Sequence, residues 1–242
     1  MSDKIRVTVW NEFRHEKTEE EAKAIYPNGI HATIGEFLSK ESDIEVRLAA
    51  LDDPDQGFPG DTLENTDVLL WWGHMHHGEV DDALVEKIRR RVYVGGMGFI
   101  ALHSAHHSKP FRAIVGTTGN LLWGDNQKEI VWNIMPLHPI AAGVPQHFIL
   151  PEEELYAEPF QIPQPDAHIF EGWFEHGYVF RTGVTYLRGA GKVFYFQPGH
   201  ETCRSFHDPV VQRIITNAVR WARPADFGYK IEPGAPWVPP IV

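Results

Sequence analysis

The stretch TDVLLWWGHMHHGE, residues 66–79, joins a continuously apolar run to three closely spaced histidines. Residues 66–72 are typical of a short strand that is buried on both faces of a parallel sheet, and Gly73 ends the strand. His74, His76 and His77 follow directly. Because open parallel α/β sheets bind ligands outside the carboxyl ends of their strands, this pattern predicts a binding site just after residue 72.

The surrounding sequence repeats the strand–helix alternation that builds a parallel sheet. Alternating or continuous apolar residues predict strands, apolar residues at helical spacing predict helices, and Asp81 and Asp208 are expected to cap two of these helices. The predicted strands are 4–10, 44–51, 66–72 and 96–103, and the predicted helices are 30–41, a segment beginning at 81, 108–116 and 208–222. Residues 11–29 are expected to form a long, charged loop.

The C-terminal half has a different pattern, in which strand-like runs are separated by glycine or proline turns. These runs are 128–136, 168–177, 178–189 and 192–201. They predict antiparallel additions to a mainly parallel sheet flanked by helices. The proline-rich tail, residues 232–242, cannot be helical and is expected to cover the surface or a neighbouring subunit. Nothing divides the chain, so residues 1–242 are predicted to form one α/β domain.

Composition excludes several classes of function. The formal charge is −11 over 242 residues, which opposes binding to nucleic acid or to anionic lipid. No apolar run is long enough to span a bilayer, and the N-terminus lacks a signal-peptide pattern, so a cytoplasmic protein is expected. Cys203 is the only cysteine, which excludes an intrachain disulfide and a thiolate metal cluster. Its thiol is expected to be buried and structural.

Fourteen histidines are the unusual feature of the composition, and several follow predicted strands. We expect His74, His103 and His200 to meet at one edge of the sheet, where they would bind a divalent metal or polarise a carbonyl group. Nitrogen and oxygen ligands without thiolates favour Zn, Mn, Fe or Ni, with zinc as the leading candidate. His76, His77, His106 and His107 are expected to be surface or supporting residues. The structural alternative for each histidine is a hydrogen-bonded loop residue.

Other groups near the same strand ends extend the predicted site. Glu201 follows His200 and could orient an imidazole or move a proton. Trp72 beside the histidine loop is a candidate platform for a sugar ring. Ser104 follows a strand but lacks the G-x-S-x-G pattern, which leaves a serine hydrolase as a competing reading. By composition alone, the acidic run at 152–154 is a solvated surface.

Seven segments taken together resemble the ThuA family of trehalose-utilisation proteins over nearly the whole chain. They are IRVTVWNEFRHEK, YPNGIHATIGEFL, TDVLLWWGHMHHGEV, GMGFIALHSAHHSKPFRAIVGTT, HPI, EEELY and KVFYFQPGHET. The resemblance implies a flavodoxin-like fold similar to that of class I glutamine amidotransferases. His103 and Ser104 would occupy the turn where an amidotransferase carries its cysteine, and His200 and Glu201 would lie near its catalytic His and Glu. Glutamine hydrolysis by a thiol is therefore not expected.

The resemblance also suggests residue roles. Family motifs fall on His103, on Glu154 and Tyr156 in EELY, and on His200. We expect an enzyme that acts on trehalose or a related (keto)disaccharide, with a sugar dehydrogenase as a partner. The expected catalytic groups are Glu201, Glu154 and His103, and the expected substrate-binding residues are Asn11, Glu12, Trp72, Ser104 and Tyr156.

A non-catalytic sugar-binding or regulatory partner of that dehydrogenase is the alternative. Self-association is expected from the proline-rich tail and the surplus of aromatic residues.

Overall fold

One nine-stranded sheet organises the computed structural model, which describes residues 4–225. Its spatial order is β2-β1-β3-β4-β9-β8-β7-β5-β6. The strands are β1 Ile5–Asn11, β2 Ile44–Ala50, β3 Val68–Trp72, β4 Gly98–Leu102, β5 Leu122–Asn133, β6 His147–Ala157, β7 Ala167–Phe174, β8 Val179–Arg188 and β9 Gly191–Phe196. The first five strands in the spatial order are parallel, and the other four are antiparallel additions. This confirms the predicted α/β fold class.

Within residues 4–225, six α-helices connect or flank these strands. They are α1 His15–Thr18, α2 Glu20–Ile25, α3 Ile30–Leu38, α4 Asp82–Tyr93, α5 Lys109–Val115 and α6 Pro209–Ala222. The predicted caps are confirmed, since the Asp81 carboxylate accepts the Ala83 N–H and the Asp208 carboxylate accepts the Val210 N–H. Each cap satisfies backbone donors that the first helical turn leaves free. Among residues 4–225, no helix is both long and apolar enough to cross a membrane.

The sheet is covered on both faces by separate apolar clusters. Ile34 of α3 and Ile214 of α6 belong to one cluster, whereas Ile88 of α4 and Phe111 of α5 belong to the other. Residues 68–72 and 98–102 are buried throughout because helices cover both faces of these strands. The layers hold the parallel strand ends at fixed relative positions.

Three segments differ from the sequence-based expectations. The N-terminal segment contains α1 and α2 instead of a continuous loop, because the buried Glu16 carboxylate accepts hydrogen bonds from Asn11 Nδ2 and from the Ile30 N–H. The acidic run lies in β6, where Glu153 and Glu154 are both buried. Strand β5 begins at Leu122, six residues before its predicted start. The proline-rich tail lies outside the described residues.

Candidate functional site

The parallel strands end level with one another at one edge of the sheet. Asn11 pairs with Trp72, Trp72 with Leu102, and Leu102 with Phe196. The loops that follow β1, β3, β4 and β9 therefore begin side by side. This register brings together side chains that are far apart in sequence.

Three histidines from these loops meet at that edge, as the strand order predicts. The ring centroids of His74 and His103 are 5.7 Å apart, those of His74 and His200 are 5.2 Å apart, and those of His103 and His200 are 5.3 Å apart. Glu154 from β6 joins them, and one ligand atom from each of the four residues lies within 4.8 Å of the others. The antiparallel half of the sheet thus completes a cluster that the parallel half begins.

His103 occupies the turn between β4 and the helical segment that precedes α5. Its backbone has a φ of +53°, an unusual conformation for a residue with a side chain and one that recurs at functional turns. The Gln197 carbonyl lies 3.0 Å from Nδ1. A carbonyl only accepts hydrogen bonds, so Nδ1 carries a hydrogen and Nε2 is directed at Glu154 Oε2, 3.0 Å away.

His103 and Glu154 change each other's proton affinity. Burial by itself lowers the pKa of His103, but the carboxylates around it, Glu154 first and then Glu153 and Glu201, outweigh burial and raise that pKa above its usual value. Burial likewise opposes ionisation of Glu154, yet His103 holds the pKa of Glu154 below its usual value. Without a metal, the pair therefore favours imidazolium and carboxylate. A cation that takes the place of the proton would meet two ligands that are already in position.

His74 is fixed by two buried carboxylates. Glu12 accepts the backbone N–H groups of His74, Met75 and His76 at 2.8, 3.1 and 3.1 Å. Burial disfavours ionisation of Glu12, but its bonds with His15 and with these amides lower its pKa to about 2. Glu12 therefore holds the loop after β3 as an anion.

Glu201 orients the His74 ring, with Oε1 at 3.0 Å from Nδ1. Burial opposes its ionisation, but the His74 hydrogen bond and nearby imidazoles lower its pKa to about 2. His15 Nε2 lies 3.7 Å from the same oxygen, and His15, His74 and Glu201 form a second group with metal-ligand spacing. His15 follows β1 in the sequence, and the sequence analysis assigned it no role.

The loop that carries His200 is held by Glu153. This carboxylate accepts the backbone N–H groups of Gly199 at 2.8 Å and of His200 at 3.1 Å, and it also accepts the Ser205 hydroxyl. Gly199 has a φ of +132°, and a Cβ there would collide with the ring of Phe206. The PGHE segment thus requires glycine directly before the histidine.

The residues present fit a divalent cation. Imidazole nitrogens and carboxylate oxygens suit zinc and related metals. The buried Oε2 of Glu154 lies 3.0 Å from His103 Nε2. A bound cation would give this oxygen a second partner and offset the cost of its buried charge.

A cavity of about 440 Å³ opens above the cluster. Ser104 and Tyr156 lie in its wall, where their hydroxyl oxygens are 2.6 Å apart. Its mouth carries two exposed apolar side chains, with Trp123 72% exposed and Met75 68% exposed. The complete lining is His74, Met75, Ser104, His106, His107, Leu121, Trp123, Glu154, Tyr156 and His200.

Three residues expected to bind substrate are enclosed by protein, which corrects that expectation. Asn11 is buried and bonds to Glu16, Glu12 holds the loop after β3, and Trp72 donates its indole N–H to the Gly199 carbonyl. These side chains support the site from beneath. They lie at or next to the strand ends, where neighbouring loops cover them.

Other sequence-based expectations meet mixed outcomes. His106 and His107 line the cavity, whereas His76 pairs with Glu79 away from it. Ser104 bonds to Tyr156 and, among residues 4–225, to no imidazole, so the geometry of a serine nucleophile with a histidine base is lacking.

Cys203 is buried as predicted, and burial raises the pKa of its thiol. Trp123 was missed because its place at the cavity mouth depends on the pairing of β5 with β6.

Known structures reproduce the fold at low sequence identity. A ThuA-like protein from Parabacteroides merdae is 13% identical with a TM-score of 0.66, and the match covers 91% of this chain and 90% of that one. A cytoplasmic protein from Salmonella typhimurium is 12% identical with a TM-score of 0.61, covering 90% and 99%. A glutamine amidotransferase from Thermotoga maritima is 10% identical with a TM-score of 0.51, covering 90% and 97%.

These matches describe the fold alone, which is that of the ThuA-like proteins and the glutamine amidotransferases. No curated protein matches the chain in sequence. The sequence model of one family does match, over residues 6–222, and that family is described as ThuA, trehalose utilisation. The matched segment contains every residue of the histidine–glutamate cluster. The chain therefore belongs to the ThuA family.

Proposed function

We propose that the protein is an enzyme of sugar catabolism that acts on trehalose or a related (keto)disaccharide in the cavity above the cluster. One observation carries this proposal: His74, His103, Glu154 and His200 converge to within 4.8 Å at a cavity large enough for part of a sugar. Family membership supplies the substrate class, and the cluster supplies the chemistry. A cytoplasmic location and supply of a keto sugar by a dehydrogenase are further parts of the proposal.

The cluster would hold one divalent cation, with zinc as the best match to its imidazole and carboxylate groups. A cation bound there supplies Lewis acidity to an oxygen atom of the substrate. His103 and Glu154 contribute adjacent ligand atoms, and His74 contributes the nitrogen that Glu201 leaves free. Glu201 itself is a positioning residue, because its carboxylate is buried and directed at His74.

The cavity wall offers hydrogen bonds for substrate hydroxyl groups. Ser104 and Tyr156 share one hydrogen bond, which leaves the second hydroxyl hydrogen of the pair available to another acceptor. The Tyr156 ring stacks on His103 with centroids 5.1 Å apart. Burial raises the pKa of Tyr156 well above its usual value, so the phenol stays protonated and can donate. A substrate oxygen near His103 would meet this donor.

Trp123 replaces Trp72 as the proposed sugar platform. Its side chain is largely exposed at the cavity mouth, and it lies near the apolar side chain of Leu121. An exposed indole face can cover the apolar face of a pyranose ring and remove it from water. The second sugar unit of a disaccharide would lie against this ring while the first enters the cavity.

A turnover assay with metal-loaded protein tests the function. Trehalose and 3-keto-trehalose are incubated with protein loaded with zinc or manganese, and products are identified by NMR. We expect a new sugar product with at least one metal, and a loss of about 100-fold or more in rate for His103→Gln. His176→Gln, in an exposed turn, is the matched control and keeps the wild-type rate.

The alternative function gives a different result in the same experiment. A sugar-binding partner of a dehydrogenase would bind one of the two sugars in calorimetry but release no product under any metal condition. If the sugar binds equally well to wild type and to His103→Gln and neither protein forms product, the protein is a sugar-binding protein and the enzyme proposal is wrong.

A further inference from the structure

The hydrogen bonds around His200 determine which of its ring nitrogens carries a hydrogen. The backbone N–H of Thr202 points at His200 Nδ1 across 3.2 Å. An amide N–H can only donate, so Nδ1 must be the acceptor and must present a lone pair. A neutral imidazole carries one hydrogen, and here that hydrogen lies on Nε2.

The Thr202 hydroxyl gives the same assignment. Its oxygen is 2.8 Å from His200 Nδ1, and it accepts a hydrogen bond from Asn126 Nδ2 at 3.2 Å. With one lone pair engaged by Asn126, the hydroxyl hydrogen is free to point at the imidazole. His200 Nδ1 thus accepts from both the hydroxyl and the backbone of Thr202, while Glu153 fixes the His200 backbone.

The other two imidazoles of the cluster have the opposite arrangement. His103 Nδ1 donates to the Gln197 carbonyl, and His74 Nδ1 faces the Glu201 carboxylate. In its neutral form each of these rings therefore has its lone pair on Nε2, which is the form that binds a metal. His200 differs from them because its partners at Nδ1 are donors.

We propose that His200 is a hydrogen-bond donor to the substrate and that only His74, His103 and Glu154 hold the metal. This inference rests on the proposed function, since it divides the roles within the same cluster. The Nε2–H of His200 donates to a carbonyl or hydroxyl oxygen of the sugar, on which negative charge grows during reaction. A fixed neutral imidazole can stabilise such charge without giving up its proton.

Metal affinity and turnover separate the two roles. In zinc titrations by calorimetry, His200→Ala is expected to keep its Kd within about threefold of wild type, whereas His103→Ala weakens binding about 100-fold or more. In turnover, His200→Ala loses about 100-fold in kcat/KM, in the range seen for lost oxyanion donors. His200→Gln keeps an N–H donor at a similar reach and recovers part of this loss. A Kd that rises as far in His200→Ala as in His103→Ala overturns the proposal.

A measurement on the wild-type protein removes the dependence on folding of the variants. In zinc-loaded protein with 15N-labelled histidine, we expect His200 to show a protonated Nε2 and His103 a protonated Nδ1. A zinc-coordinated Nε2 at His200 contradicts the proposal. If wild-type protein binds no zinc, the proposed metal chemistry fails, while the Nε2–H form of His200 is still read from the metal-free spectrum. A protonated Nδ1 there would refute the assignment.

Discussion

Glu201 and His74 are separated by 127 positions in the chain, yet the Glu201 carboxylate lies 3.0 Å from Nδ1 of His74. The contact joins the loop after β3 to the loop after β9. A carboxylate that accepts Nδ1–H fixes the ring orientation and makes the opposite nitrogen a stronger ligand. The Glu201–His74 pair therefore connects the fold to the proposed metal chemistry.

Replacing Glu201 tests this positioning role. We expect Glu201→Gln to weaken zinc binding about 10- to 100-fold, because the neutral amide holds the imidazole less firmly. Glu152→Gln changes an exposed acid close to the same cluster in sequence and should leave the Kd unchanged. Calorimetric titration measures both values. Equal zinc affinity in the Glu201→Gln protein and the wild type would show that Glu201 does not orient a ligand.

Glu12 is expected to contribute to stability. Its carboxylate accepts three consecutive backbone N–H groups, which lose their partner in Glu12→Ala. We expect the free energy of unfolding to fall by about 2–3 kcal/mol, since buried donors left without acceptors are costly. Glu64→Ala, at an exposed position, should change it by less than about 0.5 kcal/mol. Urea denaturation measures the free energy of unfolding of both variants. Similar losses in the two would show that Glu12 does not stabilise the loop after β3.

Trp123 is expected to determine affinity for the sugar. We predict that Trp123→Leu raises KM about tenfold and changes kcat little, because a platform at the cavity mouth binds ground state and transition state alike. Trp173→Leu removes a partly exposed tryptophan outside the cavity lining and serves as the control. Steady-state kinetics provide both constants. A large fall in kcat with constant KM would place Trp123 in the chemical step instead.

Buried Glu129 gives the protein a pH-dependent stability. Burial raises the pKa of Glu129 well above its usual 4.5, with the nearby Glu153 adding to the effect. The native state keeps this proton while the unfolded state releases it, so this group's contribution to stability falls as pH rises above about 4.5. Glutamine does not ionise, so Glu129→Gln removes this pH-dependent loss of stability. The variant should gain stability relative to wild type between pH 5 and pH 8.

Urea denaturation at both pH values measures the Glu129 effect. The free energy of unfolding of Glu129→Gln should exceed that of wild type by more at pH 8 than at pH 5. Glu175→Gln, at an exposed position, provides the control for a change of net charge. A difference that is constant with pH would mean that Glu129 is ionised in the native protein.

The sequence was sufficient to predict the histidine cluster because parallel strands obey a simple rule. Neighbouring parallel strands end at the same edge, so His74, His103 and His200 could be expected to meet without knowledge of any side-chain contact. The same rule could not say which groups at that edge point into the cavity. Asn11 and Trp72 were therefore expected at the substrate, although neighbouring loops cover both.

The contributions of the antiparallel half were harder to predict from residue patterns. Glu154 and Trp123 reach the cavity through the pairing of β5 with β6, which contains two register shifts. Such shifts change which face a side chain occupies, and no local pattern reports them. Adjacent Glu153 and Glu154 are both buried with different partners, so a run that reads as solvated surface lies at the centre of the site.

Zinc titration of wild-type protein beside the His103→Gln, Glu154→Gln double variant tests whether the histidine–glutamate cluster holds a metal. We expect one zinc ion bound per wild-type chain, prepared without an affinity tag, and binding weakened about 100-fold or more in the double variant. His176→Gln should bind as the wild type does. Wild-type protein that takes up far less than one ion per chain, or a double variant that binds zinc equally well, would show that the cluster is not a metal site.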